Sequence, residues 1–295
     1  VFEWLMPFFG MRGGHMCSGS TLANLTAIWA ARDGKDVQRV VASQAAHLSI
    51  QKAARMLRLP IREVPATRYG QLDVSQLGDV SDACLVLTAG TTATGEVDPL
   101  ELIGQARWTH VDAAWGGPLR LSSTYANRLA GIEGADSVAV SAHKLLMQPK
   151  DSALVMFRDP ELANSVISFG GGYLATPNIG VQGSRGAAAV SLLATLLALG
   201  RAGIAERIDR VMEMANQLAE NLEAEEAIEL LSFPKTGVTV FRPRKLDTDE
   251  IHAKLPPGMF SICLIEDERW LRSVAANPLA DIDLIVATIK ETVRR

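Results

Sequence analysis

Two features of this chain predict an α/β fold, a large domain built on a mostly parallel sheet with a small α+β domain behind it. Between about residues 20 and 160, short β-branched runs alternate with helical patterns, the arrangement of a parallel sheet covered on both faces. After Pro234 that alternation stops, and a few strands and a closing helix remain. The expected division is a large domain over residues 1–204 and a small one over 205–295.

Taken in order, Cys17-Ser-Gly-Ser-Thr21 precedes a helical stretch, Leu22 to Trp29. Candidate strands follow at Arg39–Ala42, Ile61–Val64, Cys84–Thr88, Thr109–Asp112, Ser137–Val140 and Ala153–Phe157. Between the first two, Ser49–Leu57 places Ile50, Ala53, Ala54 and Leu57 on one helical face. The run Gly170-Gly-Gly172 suits neither a helix nor a strand and predicts a mobile loop carrying Tyr173. Residues 186–223 read as long helical material rich in Ala and Leu, with Gly200 and Gly203 as the breakers. Strands are expected at Gly237–Phe241 and Met259–Leu264, and an amphipathic helix over Asp281–Arg294.

Composition narrows the function. A net charge of −4 with scattered basic residues gives no case for nucleic acid, and 48 % apolar with 21 % charged residues is ordinary for an enzyme. The three cysteines and five histidines form no metal-binding spacing, so no metal is expected. An odd cysteine count suits a reducing compartment, and a cytoplasmic location is the default expectation. The most apolar stretch, Val190 to Leu199, is about half of what spans a bilayer, so no membrane partner is expected. Neither a Gly-x-Ser-x-Gly elbow nor a Walker loop is present.

What remains is a pair of strand ends. Ser137–Val140 leads into Ser141-Ala-His143-Lys144, and Thr109–Asp112 ends in a carboxylate followed by Ala113-Ala114. Ligands of open parallel sheets lie outside the carboxyl ends of the strands, where Asp112 and Lys144 both fall. A lysine that forms a Schiff base and a carboxylate that holds a pyridine nitrogen protonated are what pyridoxal phosphate requires. Glycine and hydroxyls at Ser18–Thr21 suit its phosphate, although a plain helix cap has the same composition. His47, ahead of the Ser49 helix, suits either a ligand-facing role or a helix start, and Tyr173 either a proton donor or a packing group. Trp115 suits either a pocket wall or the core.

The block His110-Val-Asp112-Ala-Ala-Trp115-Gly-Gly, together with Ser141-Ala-His143-Lys144, Ser18-Gly-Ser-Thr-Leu-Ala-Asn24 and Ala89-Gly-Thr91-Thr92, resembles the group II pyridoxal-phosphate-dependent amino-acid decarboxylases. These have fold type I, that of aspartate aminotransferase, and the resemblance runs along essentially the whole chain. It implies decarboxylation of an L-amino acid to the amine and carbon dioxide through a Schiff base at Lys144. Asp112 would hold the ring nitrogen, His47 would stack on the ring, and Ser20, Thr21 and Ser141 would bind phosphate. Thr92 and Ala114 would line the ring, and His143 would lie beside the lysine. Tyr173 would be the catalytic tyrosine of the mobile loop. Gly183 would reach the phosphate of a neighbouring subunit, which implies a homodimer with shared active sites. Leu22 stands where the family usually has a glutamate, and the segment from Tyr173 to Gly183 is shorter than in the animal enzymes. The chain begins at Val1, and the resemblance implies a further N-terminal segment. Two other readings use the same residues. One is a different pyridoxal activity, an aminotransferase or a carbon–carbon lyase; the other is a non-catalytic binding or assembly member of the fold.

Overall fold

The computed structural model describes residues 1–183 and 186–294. A short helix α1 (Phe2–Leu5) leads to strand β1 (Gly13–Cys17), then helix α2 (Ser20–Lys35) and strand β2 (Arg39–Ser43). Helix α3 (Ser49–Met56) precedes strands β3 (Ile61–Val64), β4 (Ala83–Thr88), β5 (Trp108–Asp112), β6 (Ser137–Ser141) and β7 (Ala153–Phe157). These seven strands form one sheet in the order β1-β7-β6-β5-β4-β2-β3. The run from β6 through β5, β4 and β2 to β3 is parallel, and β7 lies antiparallel between β6 and β1.

Every residue of β4, β5, β6 and β7 is buried, as expected of central strands covered on both faces. Each fully buried Val, Leu or Phe there contributes roughly 1.5–3 kcal/mol of transfer free energy. One face is covered by α2, whose Ala23, Ala27, Ala30 and Ala31 are fully buried and let the helix sit close on β6 and β7. The helix ends at Asp36, which adopts left-handed φ 50°. On the other face Leu85, Leu87, Val111, Val138 and Val140 pack with the N-terminal Leu5 and Phe9.

Beyond β7, helix α4 (Pro160–Ile167) starts with Pro160 at its first position and an Asp159 cap, whose Oδ1 accepts from Leu162 N–H at 3.0 Å. A two-stranded ribbon, β8 (Ser168–Phe169) with β9 (Asn178–Ile179), then encloses the glycine run. Helix α5 (Ala188–Glu223) breaks at Gly200 (φ 62°, ψ −174°), so it is two helices end to end. The apolar half before the break rises only about 18 Å, well short of the roughly 30 Å of a bilayer core.

The C-terminal part is an antiparallel sheet, β10 (Ile228–Leu230), β11 (Val238–Pro243), β12 (Ser261–Ile265) and β13 (Glu268–Val274), in the order β10-β11-β13-β12. Helices α6 (Thr248–Lys254) and α7 (Ile282–Arg294) cover it together with α5. Helix α5 serves both halves: Ile204, Ile208 and Met212 belong to the core of the large sheet, and Met214, Leu218 and Leu222 to that of the small one.

Several elements go beyond the sequence expectation, helix α4 and the β8–β9 ribbon among them. Strand β1 has two glycines and a histidine and carries no strand signal; it forms because it pairs with β7, where a Cβ at Gly14 would overlap the Val155 carbonyl. The three-residue β10, the charged β13 (Glu-Arg-Trp-Leu-Arg) and the short α6 also go unannounced.

Candidate active site

The parallel strands deliver the candidate residues to one edge. His47 follows β2, Thr92 follows β4, Asp112 ends β5 and Ser141 ends β6, with His143 and Lys144 just beyond. Strand β1 points the same way, so Ser20 and Thr21, opening α2, lie at that edge too. In register, Thr88 lies beside Asp112 and Asp112 beside Ala139.

Asp112 is 4 % exposed. Its Oδ2 accepts from Asn24 Nδ2 at 2.8 Å, and its Oδ1 from the Ala114 backbone N–H at 3.1 Å. Among the described residues it has no ion-pair partner, which leaves a buried carboxylate that lacks a cation within bonding reach. Asn24 is fully buried and anchors a longer chain of bonds. Its Nδ2 also donates to Ser49 Oγ at 2.9 Å, and its Oδ1 meets His110 Nε2 at 3.0 Å. His110 Nδ1 meets Ser137 Oγ at 2.9 Å, and Ser137 Oγ accepts from Trp108 Nε1 at 2.9 Å. Burial pushes His110 down to about 4, against a smaller upward pull from Asp112. The imidazole is therefore neutral at pH 7.

Lys144 is half-buried. Burial lowers its pKa, Asp112 pulls it back up and Arg272 adds to the lowering, so more of the lysine is the nucleophilic free amine. Among the described residues Ser141 Oγ is buried without a hydrogen-bond partner at the end of β6. No side chain caps α2 at Gly19, no acidic residue occupies its first turn, and open space surrounds Gly19 where a Cβ would stand. These observations fit pyridoxal phosphate. Asp112 would meet a protonated ring nitrogen, Lys144 the aldehyde carbon, and Ser20, Thr21, Ser141 and the α2 N-terminus the phosphate.

A cleft of about 630 Å³ opens beside this edge, between the strand ends and the small sheet. His47, Thr91 and Thr92 line one side, and Cys263, Leu264 and Arg272 the other. Arg272 stands out. Burial lowers its pKa, its Nη1 reaches Ser261 Oγ at 3.3 Å, and its buried Nε has no partner. Sequence reasoning missed it, because an arginine on a charged strand carries no signal of facing a distant lysine.

The remaining candidates divide between this edge and the surface. His143 Nδ1–H donates to the Ser152 carbonyl at 3.3 Å. Ala114 is 6 % exposed and gives its N–H to Asp112. Tyr173 is 88 % exposed, and the structure does not bring it to the cluster. Gly183 is exposed and follows Gln182, whose side chain forms a two-bond clamp with Ser18, at 3.0 Å each. Gly183 is thereby held close to the entrance of α2 in its own chain. Trp115 is not a wall of the cleft; its Nε1 donates to the Thr236 carbonyl at 2.7 Å and ties the two sheets together. The neighbouring Gly116 is required there, since a Cβ would come within 2.5 Å of the Ala89 carbonyl oxygen.

A family profile, the pyridoxal-dependent decarboxylase conserved domain, matches residues 2–244. The chain is 30 % identical to an aspartate 1-decarboxylase of Aliivibrio fischeri, over 78 % of this chain and 50 % of that protein. It is 31 % identical to an L-2,4-diaminobutyrate decarboxylase of Acinetobacter baumannii, over 82 % of this chain and 58 % of that one. It therefore spans about half the length of these curated relatives. Among solved structures, mouse CSAD superposes with a TM-score of 0.85 at 25 % identity, covering 99 % of this chain and 74 % of that one.

Proposed function

This chain belongs to the pyridoxal-dependent decarboxylase family, and on that premise we propose that it removes the α-carboxylate of an L-amino acid as carbon dioxide, leaving the amine. The observation that carries the reading is the buried carboxylate of Asp112, without a salt bridge among the described residues, at the strand end near the half-buried Lys144 that feels its charge. When bound, pyridoxal phosphate supplies the electron sink for the pair left by the departing carbon dioxide.

The chain's own residues do the rest. Asp112, fixed by Asn24 and the Ala114 N–H, holds a proton at the ring nitrogen. Lys144 supplies the amine for covalent attachment, its basicity reduced by burial. Arg272, whose guanidinium lines the cleft, takes a substrate carboxylate oxygen. The small sheet walls the cleft on that side. Tyr173, exposed on its ribbon, serves as proton donor to the substrate α-carbon from a second copy of the chain, so the active protein is a homodimer. The relatives are named for aspartate and 2,4-diaminobutyrate, and these two amino acids are the substrates of first choice.

The experiment is carbon dioxide release from L-aspartate and L-2,4-diaminobutyrate with pyridoxal phosphate, for the wild type and Lys144→Ala, beside the visible spectrum. A borohydride-reducible band and amine product in the wild type alone support the reading. A keto acid instead of an amine would replace decarboxylation with transamination. No band in either protein would favour a non-catalytic member of the fold.

A further inference from the structure

Resting on that reading of the cleft, we propose that Ser49 and Asn24 are positioning residues that hold His47 as a neutral imidazole with its proton on Nε2. His47 then meets the ligand as a hydrogen-bond donor rather than as a base. Two donors converge on one ring atom: Ser49 Oγ lies 2.8 Å from His47 Nδ1, and the Ser49 backbone N–H points at the same atom from 3.2 Å. A backbone N–H can only donate, so it favours a lone pair at Nδ1, but at 3.2 Å it is the longer contact and the hydroxyl at 2.8 Å is the one that holds that tautomer. The hydroxyl direction follows from the far end of the chain of bonds. Asp112 is acceptor-only, so the Asn24 amide turns its NH2 to Asp112 Oδ2 and to Ser49 Oγ. With its oxygen receiving that proton, Ser49 has its own proton left for His47 Nδ1.

The same orientation carries on to the opposite end. With its NH2 turned to Asp112 and Ser49, Asn24 presents Oδ1 to His110, so His110 Nε2–H donates to it. His110 Nδ1 then turns a lone pair to Ser137 Oγ, which accepts from Trp108 Nε1–H and has its own proton left for the ring. The directions toward Trp108 and toward His47 thus follow from one anchor, Asn24 on Asp112. All four intermediates, Ser137, His110, Asn24 and Ser49, are fully buried, where a reversed link would leave two donors or two acceptors face to face.

The consequence lies in the cleft. Both donors engage Nδ1, so what His47 offers from the wall it shares with Thr92 is Nε2–H. Arg272 lines the same space with its guanidinium, a group that can only donate. Two donors flanking one cleft suit an anionic ligand, here a substrate carboxylate. A histidine needed as a base would instead present a lone pair at that atom.

The test reads the tautomer directly. In the 15N-labelled chain without cofactor, two-bond 1H–15N correlations of the imidazoles are recorded above the histidine titration, with His47 assigned by its loss in His47→Gln. The wild type is expected to show an unprotonated Nδ1 and a protonated Nε2. Ser49→Ala should move the Nδ1 signal toward the protonated position, and Ser49→Thr, which keeps the hydroxyl, should restore it. Ser49→Cys, of similar volume and a weaker donor, gives the same direction if the alanine variant does not fold. In the active protein Ser49→Ala should lower kcat/KM roughly tenfold, the loss from one misdirected hydrogen bond to a charged group. A wild-type proton on Nδ1, or a His47 spectrum unmoved by both Ser49→Ala and Ser49→Cys, overturns the proposal. The measurement needs neither cofactor nor turnover. A chain that shows the tautomer yet releases no carbon dioxide keeps this inference and loses the functional reading, and the converse result does the reverse.

Discussion

Replacing His110 by glutamine should flatten the acid limb of the stability curve. His110 is fully buried, and its pKa falls from the ordinary 6.5 to about 4, with burial as the main cause. Its folded-state value lies below its unfolded value, so the unfolded chain binds the extra proton. The stability that depends on the neutral ring is complete above pH 6.5 and is lost as the pH falls toward 4. The full loss is about 3 kcal/mol, of which about 2 kcal/mol develops between pH 7 and pH 5. Asp98 slopes the other way: burial raises it from 3.8 to about 6, so its cost grows as the pH rises through that interval. A wild-type curve alone would mix the two. The difference between wild type and His110→Gln cancels Asp98, because the glutamine amide can still donate to Asn24 and does not titrate. Urea midpoints at half-unit pH steps give that difference. The variant should be the less stable protein at pH 7 and should recover relative to wild type by about 2 kcal/mol at pH 5. A difference independent of pH over this range would mean that His110 is not held neutral, and the bond directions derived from it would fail as well.

Asp98→Asn should lower stability at pH 7 by about 1–3 kcal/mol in the same urea assay, because the Leu72 and Thr88 N–H groups donate at 2.7 Å to different oxygens and an amide accepts only one of them; an unchanged midpoint would remove the carboxylate from that role. Arg272→Gln should raise KM for the amino acid about 10- to 100-fold while leaving the cofactor absorbance in place, and an unchanged KM would take the substrate carboxylate away from Arg272.

Much of the large sheet was legible because its strands are local signals. Ile61–Val64 and Ala153–Phe157 are observed with the expected bounds, and the other four expected strands each gain one residue at an end. Strand β1 was not legible, since its identity comes from Val155 and Met156 across the sheet rather than from its own composition. The site divides in the same way. Asp112 and Lys144 could be found because each closes an apolar run, and the structure sets them at one edge. Asn24 and Ser49 could not, because an asparagine inside a helix and a serine opening one read as ordinary until Asn24 is seen to join Ser49 to Asp112, far along the chain. Leu22, which departs from the usual motif, packs partly buried with the α2 core and takes no part in the hydrogen-bond chain.

The β12–β13 hairpin supplies Ile262, Cys263, Leu264, Ile265, Glu266 and Arg272 to the cleft, while the lysine and its carboxylate partner belong to the large sheet. Reagent and selector are thus encoded in separate stretches of chain, one contiguous and only fourteen residues long, Ser261 to Val274. For protein engineering that makes the hairpin a cassette. On the proposed function, transplanting it from a relative of different substrate name with Arg272 kept would alter selectivity at one wall and leave Lys144 and Asp112 as they stand, and random variation at its other cleft-lining positions would search substrate space.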